Sequence, residues 1–254
     1  MTRDLQKANM WKRISAAFID AILLVIVIVG FALLLTSVLN YNSYATRLQE
    51  RYDAFEAEYG VTFEVTAEQL AAFTEEELEK YNAASAALSA DEEAGYCYTM
   101  LINLTMIIII FSVLISYILL EFVLPLFLKN GQTIGKKTFG IGVMREDGVK
   151  ISPFVLFART VLGKYTIEFM FPLLIIIMIY FGFLGIVGII VLLGMLLLQL
   201  ILLIATYERT PIHDKLARTV AVDISSQRIF DSAEELMEYK QRLHAEAAEE
   251  SNGW

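Results

Sequence analysis

The fold is decided by the stretch Arg13-Ile-Ser-Ala-Ala-Phe-Ile-Asp20, which leads directly into an apolar run that ends at Leu39. Seven residues span about two helical turns, so both charged side chains lie on one face of a helix, roughly 10 Å apart along its axis. An arginine at a membrane boundary can extend its guanidinium into the headgroup region. An aspartate just inside the hydrocarbon costs roughly 2.5–3.5 kcal/mol. Asp20 therefore needs either a structural partner or a role that involves cations or protons.

The composition indicates an integral membrane protein. Of the 254 residues, 57% are hydrophobic, which exceeds the roughly 45–50% of soluble domains. The apolar residues concentrate in three long runs at 17–39, 99–128 and 165–207. The first run is too long for the apolar core of a signal peptide. The chain has one cysteine, Cys97, and two histidines, so we expect no internal disulfide and no Cys/His metal site. We also expect no cofactor and no catalytic residues.

The third run is long enough to cross a bilayer twice. It covers about 43 residues, whereas one spanning helix needs about 20. Gly182 and Gly185 mark a turn inside it. We therefore predict four spanning helices at 17–39, 100–124, 166–182 and 186–206. The fold class is an all-α integral membrane protein, a four-transmembrane-helix bundle.

Charge segregation predicts the orientation of these helices. Residues 1–16 carry four basic residues against one acidic, and the loop 129–164 carries seven basic against two acidic. The segment 40–98 instead carries three basic against thirteen acidic. Lysine and arginine near helix ends mark the cytoplasmic side. We therefore predict a multi-pass protein of the cell membrane whose N- and C-termini are cytoplasmic. Its segments are a cytoplasmic N-terminus (1–16), the first two spans (17–39 and 99–128) around an acidic extracytoplasmic segment (40–98), a cytoplasmic loop (129–164), a hairpin of spans three and four (165–207) and a cytoplasmic tail (208–254).

The segments outside the spans show their own patterns. In 40–98, Thr66-Ala-Glu-Gln69 and Thr74-Glu-Glu-Glu77 are capping boxes and predict short helices. This segment is either a solvated acidic spacer, a region that collects cations, or a docking site for a protein partner. Residues 138–151 predict a small cytoplasmic β-hairpin with Asp-Gly at its turn. Residues 154–164 predict an amphipathic helix in the inner interface, and 232–243 a short helix in the tail.

Polar residues on the predicted spans form one set near the cytoplasmic side. The topology places three carboxylates, Asp20, Glu121 and Glu168, at a similar depth, with Gln199 in the inner half of the fourth helix. These four are the candidates for ion binding or transport. In one interpretation the carboxylates pair with Arg13, Arg159 and Lys164 and lock the helices together. In the other, a desolvated carboxylate exchanges a proton for Na⁺ or another cation.

Several motifs resemble those of a known family. They are Arg13-Ile-Ser-Ala-Ala-Phe-Ile-Asp20, Gly131-Gln-Thr-Ile-Gly-Lys-Lys-Thr-Phe-Gly140-Ile-Gly-Val143, Arg159, and His213-Asp214-Lys-Leu-Ala-Arg-Thr219-Val-Ala-Val222. Together they resemble the RDD family of bacterial and archaeal membrane proteins, named for an arginine and two aspartates. Here these would be Arg13, Asp20 and Asp214. Two features depart from the family pattern: Arg218 stands where members often have glycine, and the segment 40–98 is longer than usual.

The resemblance implies a multi-spanning protein, and at least some members are regarded as Na⁺/H⁺ antiporters. We expect Asp214 to form a structural clasp with Arg13 or Arg159 at the cytoplasmic mouth. The leading functional hypothesis is transport of a small cation coupled to protons, by Asp20 and Glu121 with Glu168 assisting, in a homo-oligomer. The alternative is a membrane adaptor that transports nothing and presents residues 40–98 or the C-terminal helix to a partner protein. The basic residues are explained by topology, so we expect no nucleic-acid binding. The sequence shows no nucleophile–base pair and no set of metal ligands, so we do not expect an enzyme.

Overall fold

The computed structural model describes residues 6–180, 182–204 and 211–252. The chain divides into two compact units, one formed by Met1–Val25 and Tyr117–Trp254 and the other by Ile26–Ser116. Most of the described residues are helical. The α-helices are α1 (Met10–Val38), α2 (Tyr41–Tyr59), α3 (Ala67–Ala71), α4 (Glu75–Ala90), α5 (Glu92–Tyr117), α6 (Leu124–Phe127), α7 (Ile134–Thr138), α8 (Pro153–Phe157), α9 (Phe171–Tyr180), α10 (Gly185–Ile204), α11 (Ile212–Ala217) and α12 (Ala233–Asn252). Two π-helical segments, Ile118–Val123 and Ala158–Met170, join α5 to α6 and α8 to α9.

Two helices among the described residues are long and apolar enough to cross a membrane. They are Met10–Val38 and the continuous helix Glu92–Phe127. A shorter apolar helix covers Gly185–Leu198. The chain turns between α9 and α10, where Gly182 and Gly185 both adopt positive φ values of 77° and 49°. The helix break therefore lies where the glycines predicted it.

The unit Ile26–Ser116 contains the acidic segment, which is helical as predicted. Both predicted capping boxes are present, with Thr66 and Thr74 accepting hydrogen bonds from the backbone of Gln69 and Glu77. Helices α2 and α4 pack together. Aromatic side chains also pack together within this segment. Phe63 makes edge-to-face contacts with two tyrosines, at distances of 5.4 and 6.0 Å between ring centroids. Such pairs add stabilisation beyond their buried area.

The other unit contains a two-stranded antiparallel sheet, and its pairing differs from the predicted hairpin. Strand β1 (Ile141–Arg145) pairs with β2 (Thr219–Asp223), in a register that places Ile141 opposite Asp223. The predicted turn at Asp147-Gly148 exists, but the returning chain forms only one bridge to β1, Met144 to Lys150. The returning strand is short because Pro153 begins α8, so β2 supplies the longer partner. The hairpin prediction was therefore wrong about the partner strand.

The sheet is buried on both faces and ties distant parts of the chain together. Residues 6–8 bond to the free edge of β2, with the N–H of Ala8 donating to the carbonyl of Ala221 over 3.1 Å. Lys12 at the start of α1 forms an ion pair of 2.7 Å with Asp223. Alternating apolar residues of both strands fill three small cores. The sheet thus fixes the start of α1 against the region that carries the candidate site.

Candidate functional site

Asp20 holds the loop that precedes α7. Its Oδ1 accepts a hydrogen bond of 2.8 Å from the backbone N–H of Gly135, and its Oδ2 accepts one from the Thr133 hydroxyl. Thr133 is also the N-cap of α7, where its hydroxyl accepts from the N–H of Lys136. A carboxylate at a helix N-terminus is a favourable arrangement because it satisfies otherwise unpaired donors. Both oxygens of Asp20 are therefore engaged in positioning this loop.

Gly135 permits the loop to approach α1 this closely. A Cβ at this position would lie 2.1 Å from the carbonyl oxygen of Ala16 and 2.9 Å from the Cγ of Asp20. A distance of this size is far below the van der Waals contact between a non-bonded carbon atom and a backbone oxygen. Ala16 itself is 1% exposed, so α1 and the loop are in direct backbone contact. The glycine of the Gly-Lys-Lys sequence therefore serves to accommodate α1.

Glu121 is the most deeply buried of the three candidate carboxylates. The residue is 4% exposed. Its Oε1 accepts from the ammonium of Lys164 on the second π-helical segment. Its Oε2 is buried and has no hydrogen-bond partner among the described residues. A buried charged oxygen without a partner is costly and calls for a ligand, a proton or a water molecule.

A small cavity lies beside this carboxylate. It is lined by both Asp20 and Glu121 together with apolar side chains of four elements, Leu23, Leu24, Leu120, Leu124 and Ile134. Its volume of about 10 Å³ is close to the least that one water molecule needs. The structure therefore brings two of the predicted carboxylates to one small, mostly apolar space.

A repeated proline pattern explains the two π-helical segments. Glu121-Phe-Val-Leu-Pro125 and Glu168-Phe-Met-Phe-Pro172 both place a proline four residues after a glutamate. In an α-helix residue 125 would donate to the carbonyl of Glu121, and residue 172 to that of Glu168, but proline has no N–H. The helix widens instead, with Leu124 donating to Leu119 and Phe171 to Thr166, five residues back. Such widened turns occur frequently at functional sites.

Asp214 forms the buried centre of a second group. The Nε of Arg159 donates to Asp214 Oδ1 over 2.6 Å, and the hydroxyl of Thr219 donates to the same oxygen over 2.9 Å. The guanidinium of Arg13 lies 4.0 Å from Asp214 Oδ2. Arg159 and Asp214 are only 2% and 1% exposed. Asp214 thus contacts Arg159 directly and has Arg13 nearby, in the arrangement expected of a clasp.

Glu168 binds the start of α11 rather than the cavity. Its Oε1 accepts from the backbone N–H of His213 over 2.9 Å, and its Oε2 lies 2.8 Å from His213 Nδ1. His213 Nε2 lies 3.2 Å from Arg159 Nη2. Because arginine only donates, Nε2 is the acceptor and Nδ1 carries the proton. Gly163 allows this approach, since a Cβ there would lie 2.8 Å from the Cβ of His213.

Burial and charge shift the pKa values in this second group. Burial alone would raise the pKa of Asp214, but the charge of Arg159 and the bonds it receives lower it well below its usual range. Burial lowers the pKa of His213 from its ordinary value, and Asp214 only partly opposes this. For Arg159 burial acts to lower the pKa, but Asp214 outweighs it and the pKa rises. The group is therefore a neutral histidine bonded to a tightly paired arginine and aspartate.

The structure separates the predicted polar set into these two groups. Asp20 and Glu121 share the cavity, whereas Glu168 joins Arg159 and Asp214. The side chain of Gln199 lies outside the described residues. Lys164, one of the predicted partners, pairs with Glu121. Nothing in the sequence indicated that Thr133 and Gly135 bond to Asp20, or that His213 bonds to Glu168. The Glu-Phe-x-x-Pro repeat was the available signal for the widened helices.

Comparison with known proteins gives one match. A family model described as the RDD family matches residues 7–218. This range includes the charged residues of both groups described above, from Arg13 to Asp214, and ends one residue before Thr219. No curated protein and no solved structure matches the chain.

Proposed function

The chain belongs to the RDD family, a family of membrane proteins, and on this basis we propose that it moves a small cation across the cell membrane in exchange for protons. In this proposal four helices cross the bilayer, and both termini are cytoplasmic. The two long apolar helices support the first two crossings. The turn between α9 and α10 supports a helical hairpin for the other two. A bundle of four helices is small, so we propose that the conducting unit is a homo-oligomer.

One observation carries the proposal: the buried, unpartnered Oε2 of Glu121 beside a small cavity. An ionisable residue inside a membrane protein commonly marks an ion or proton route. A carboxylate oxygen is a suitable ligand for a hard cation such as Na⁺ and is equally able to take a proton. Since the same oxygen can bind either the cation or the proton, binding of one excludes the other. That competition is the basis of exchange.

Of the two carboxylates predicted to exchange, we assign the role to Glu121. Both oxygens of Asp20 already accept hydrogen bonds from the loop 133–135, so a cation at Asp20 would have to displace them. We propose that Asp20 lines the cavity and keeps the loop in place. Glu168 is also fully engaged, through His213, and we assign it a structural role.

The test is a flux assay on purified protein in liposomes. An inward gradient of Na⁺, K⁺ or Li⁺ is imposed, and the movement of protons is followed with a pH-sensitive dye. Wild type should show cation-dependent proton flux, and Glu121→Gln should abolish it. The matched control is Glu79→Gln, because Glu79 is an exposed glutamate in α4. Absence of flux from folded wild type under all three gradients would contradict the proposal.

A second candidate is a membrane adaptor, and the order within the acidic segment favours it. Ion pairs join α2 to the region around α5, between Arg47 and Glu93 and between Arg51 and Asp91. A folded acidic surface of this kind suits a basic protein partner. The Glu121→Gln variant separates the two functions, since an adaptor would retain partner binding in it. Deletion of residues 61–90 would instead abolish partner binding.

A further inference from the structure

Pro125 leaves one backbone carbonyl of the first π-helical segment without its helical hydrogen bond. In an α-helix or a π-helix, the carbonyl of Leu120 accepts from the N–H four or five residues ahead. Those residues are Leu124, whose N–H donates to Leu119 instead, and Pro125, which has no N–H. The carbonyl of Leu120 therefore has no such donor in this helix, all of whose residues the structure describes.

The residue with this unpaired carbonyl also lines the cavity. Leu120 and Glu121 are neighbours in the chain, and both belong to the cavity wall. Glu121 is 4% exposed, and its Oε2 has no hydrogen-bond partner among the described residues. Two adjacent residues at one small space thus each have an oxygen atom without a donor. Because a buried oxygen without a partner is costly, a bound cation would stabilise both.

The size of the cavity bears on the chemical class of this cation. A volume of about 10 Å³ is close to the least that one water molecule needs, so an ion with its hydration shell does not fit. An ion that enters must exchange water for protein oxygen atoms, as K⁺ does in filters built from backbone carbonyls. Mg²⁺ gives up its water reluctantly. The cavity therefore favours an alkali-metal ion over Mg²⁺.

We propose that the backbone carbonyl of Leu120 is a ligand of the cation at Glu121 Oε2, and that Pro125 is the positioning residue that keeps this carbonyl available. An N–H at position 125 would occupy the carbonyl of Leu120 in either helical register. In the widened register residue 125 itself would donate to Leu120, and in a regular α-helix Leu124 would do so. This inference rests on the proposed cation site at Glu121 and adds a second ligand to it.

The second Glu-Phe-x-x-Pro motif provides an internal comparison. Phe171 donates to Thr166 and Pro172 has no N–H, so the carbonyl of Ile167 is left without a helical donor in the same way. The glutamate that follows it, however, has both carboxylate oxygens engaged by His213. None of these residues is among those that line the cavity. An N–H restored at position 172 should therefore leave cation binding unchanged.

The first experiment identifies the ligating carbonyl in the wild-type protein. Infrared difference spectra of the full-length protein in detergent are recorded with sodium chloride against choline chloride. Sodium binding should change a carboxylate band and an amide I band. When every leucine carries ¹³C at its carbonyl carbon, the sodium-sensitive amide I band should move to lower frequency. The matched control is protein labelled in the same way at isoleucine, in which the band should stay in place.

The second experiment compares two proline variants and two competing ions. Pro125→Ala should weaken sodium binding roughly 10–100-fold, as expected when a group that holds a metal ligand in place is removed, and should lose the leucine-dependent amide I band. Pro172→Ala gains an N–H in the same kind of turn and should bind sodium as wild type does. Lithium should compete with sodium in wild type, whereas Mg²⁺ should not.

The possible failures are distinguishable. The Leu120 ligand is overturned, while the cation site at Glu121 stands, if Pro125→Ala binds sodium as tightly as wild type or if the sodium-sensitive amide I band does not move with labelled leucine. Competition by Mg²⁺ as strong as that by lithium would overturn the preference for an alkali-metal ion. If wild type binds none of sodium, potassium and lithium, the cation site itself is contradicted. The labelling experiment uses wild type, so it decides the question even if Pro125→Ala does not fold.

Discussion

Replacing Gly135 by alanine should break the contact between α1 and the loop 133–135. The added Cβ would lie 2.1 Å from the carbonyl oxygen of Ala16, about 1 Å closer than a normal contact. Neither the Cβ nor the carbonyl oxygen can move without its own backbone. The loop must therefore move, and the 2.8 Å bond from Gly135 N–H to Asp20 is lost along with that from Thr133. Hydrogen bonds to a charged group contribute roughly 1.5–3 kcal/mol each. Because Asp20 is only half-buried, we expect a loss of about 3 kcal/mol in the free energy of unfolding.

The assay is reversible unfolding in mixed micelles, followed by tryptophan fluorescence. Gly30→Ala is the matched control, since Gly30 lies on α1, the helix that Gly135 contacts, and its Cβ would meet nothing within 4 Å. That variant should be unchanged or more stable by about 0.5–1 kcal/mol, as expected for alanine in a helix interior. A loss below about 1 kcal/mol in Gly135→Ala would show that the loop does not pack directly against the backbone of α1.

Three further predictions concern the region around α11. Asp214→Asn should destabilise the protein by about 3–5 kcal/mol, because it leaves a buried guanidinium unpaired. Asp223→Asn, at a partly exposed carboxylate, should lose much less, and equal losses would contradict the clasp. Stability should fall as the pH drops below 6.5, because burial lowers the pKa of His213 in the folded state and the unfolded chain then binds more protons; thermal midpoints at pH 7.5 and 5.5 measure this, and His213→Gln should reduce the difference. Arg218→Gly should stabilise the protein by about 0.5–1 kcal/mol, since Arg218 has a φ of 50° that favours glycine; a destabilised variant in the same unfolding assay would contradict this.

The helical elements could be predicted because their signals are local. The capping boxes at Thr66 and Thr74 and the glycine turn at Gly182 each depend on a few neighbouring residues, and each is present in the structure. The family resemblance rested on motifs spread over residues 13–222, and the family match confirms it.

The sheet could not be predicted in the same way, because its pairing is not local. The Asp147-Gly148 turn suggested a hairpin, but a competing strand more than seventy residues away gives a longer pairing. Periodicity within one segment does not reveal which distant segment is its partner.

The hydrogen-bond partners of the carboxylates could not be predicted from the sequence either. Topology placed Asp20, Glu121 and Glu168 at a similar depth, but it gave no information on which donor each one meets. Asp20 is bonded to a backbone N–H at Gly135, and a backbone donor leaves no trace in the sequence. At Arg218, by contrast, the sequence did mark the special position. Members of the family often have glycine there, and the structure places Arg218 in the left-handed region.

If Glu121 binds a single cation, equilibrium binding of radioactive sodium to the detergent-purified protein should saturate at one ion per chain. Lithium or potassium should compete with sodium, Glu79→Gln should retain the binding, and a folded Glu121→Gln variant should lose it. Equal binding by wild type and Glu121→Gln would show that the cation does not bind at Glu121.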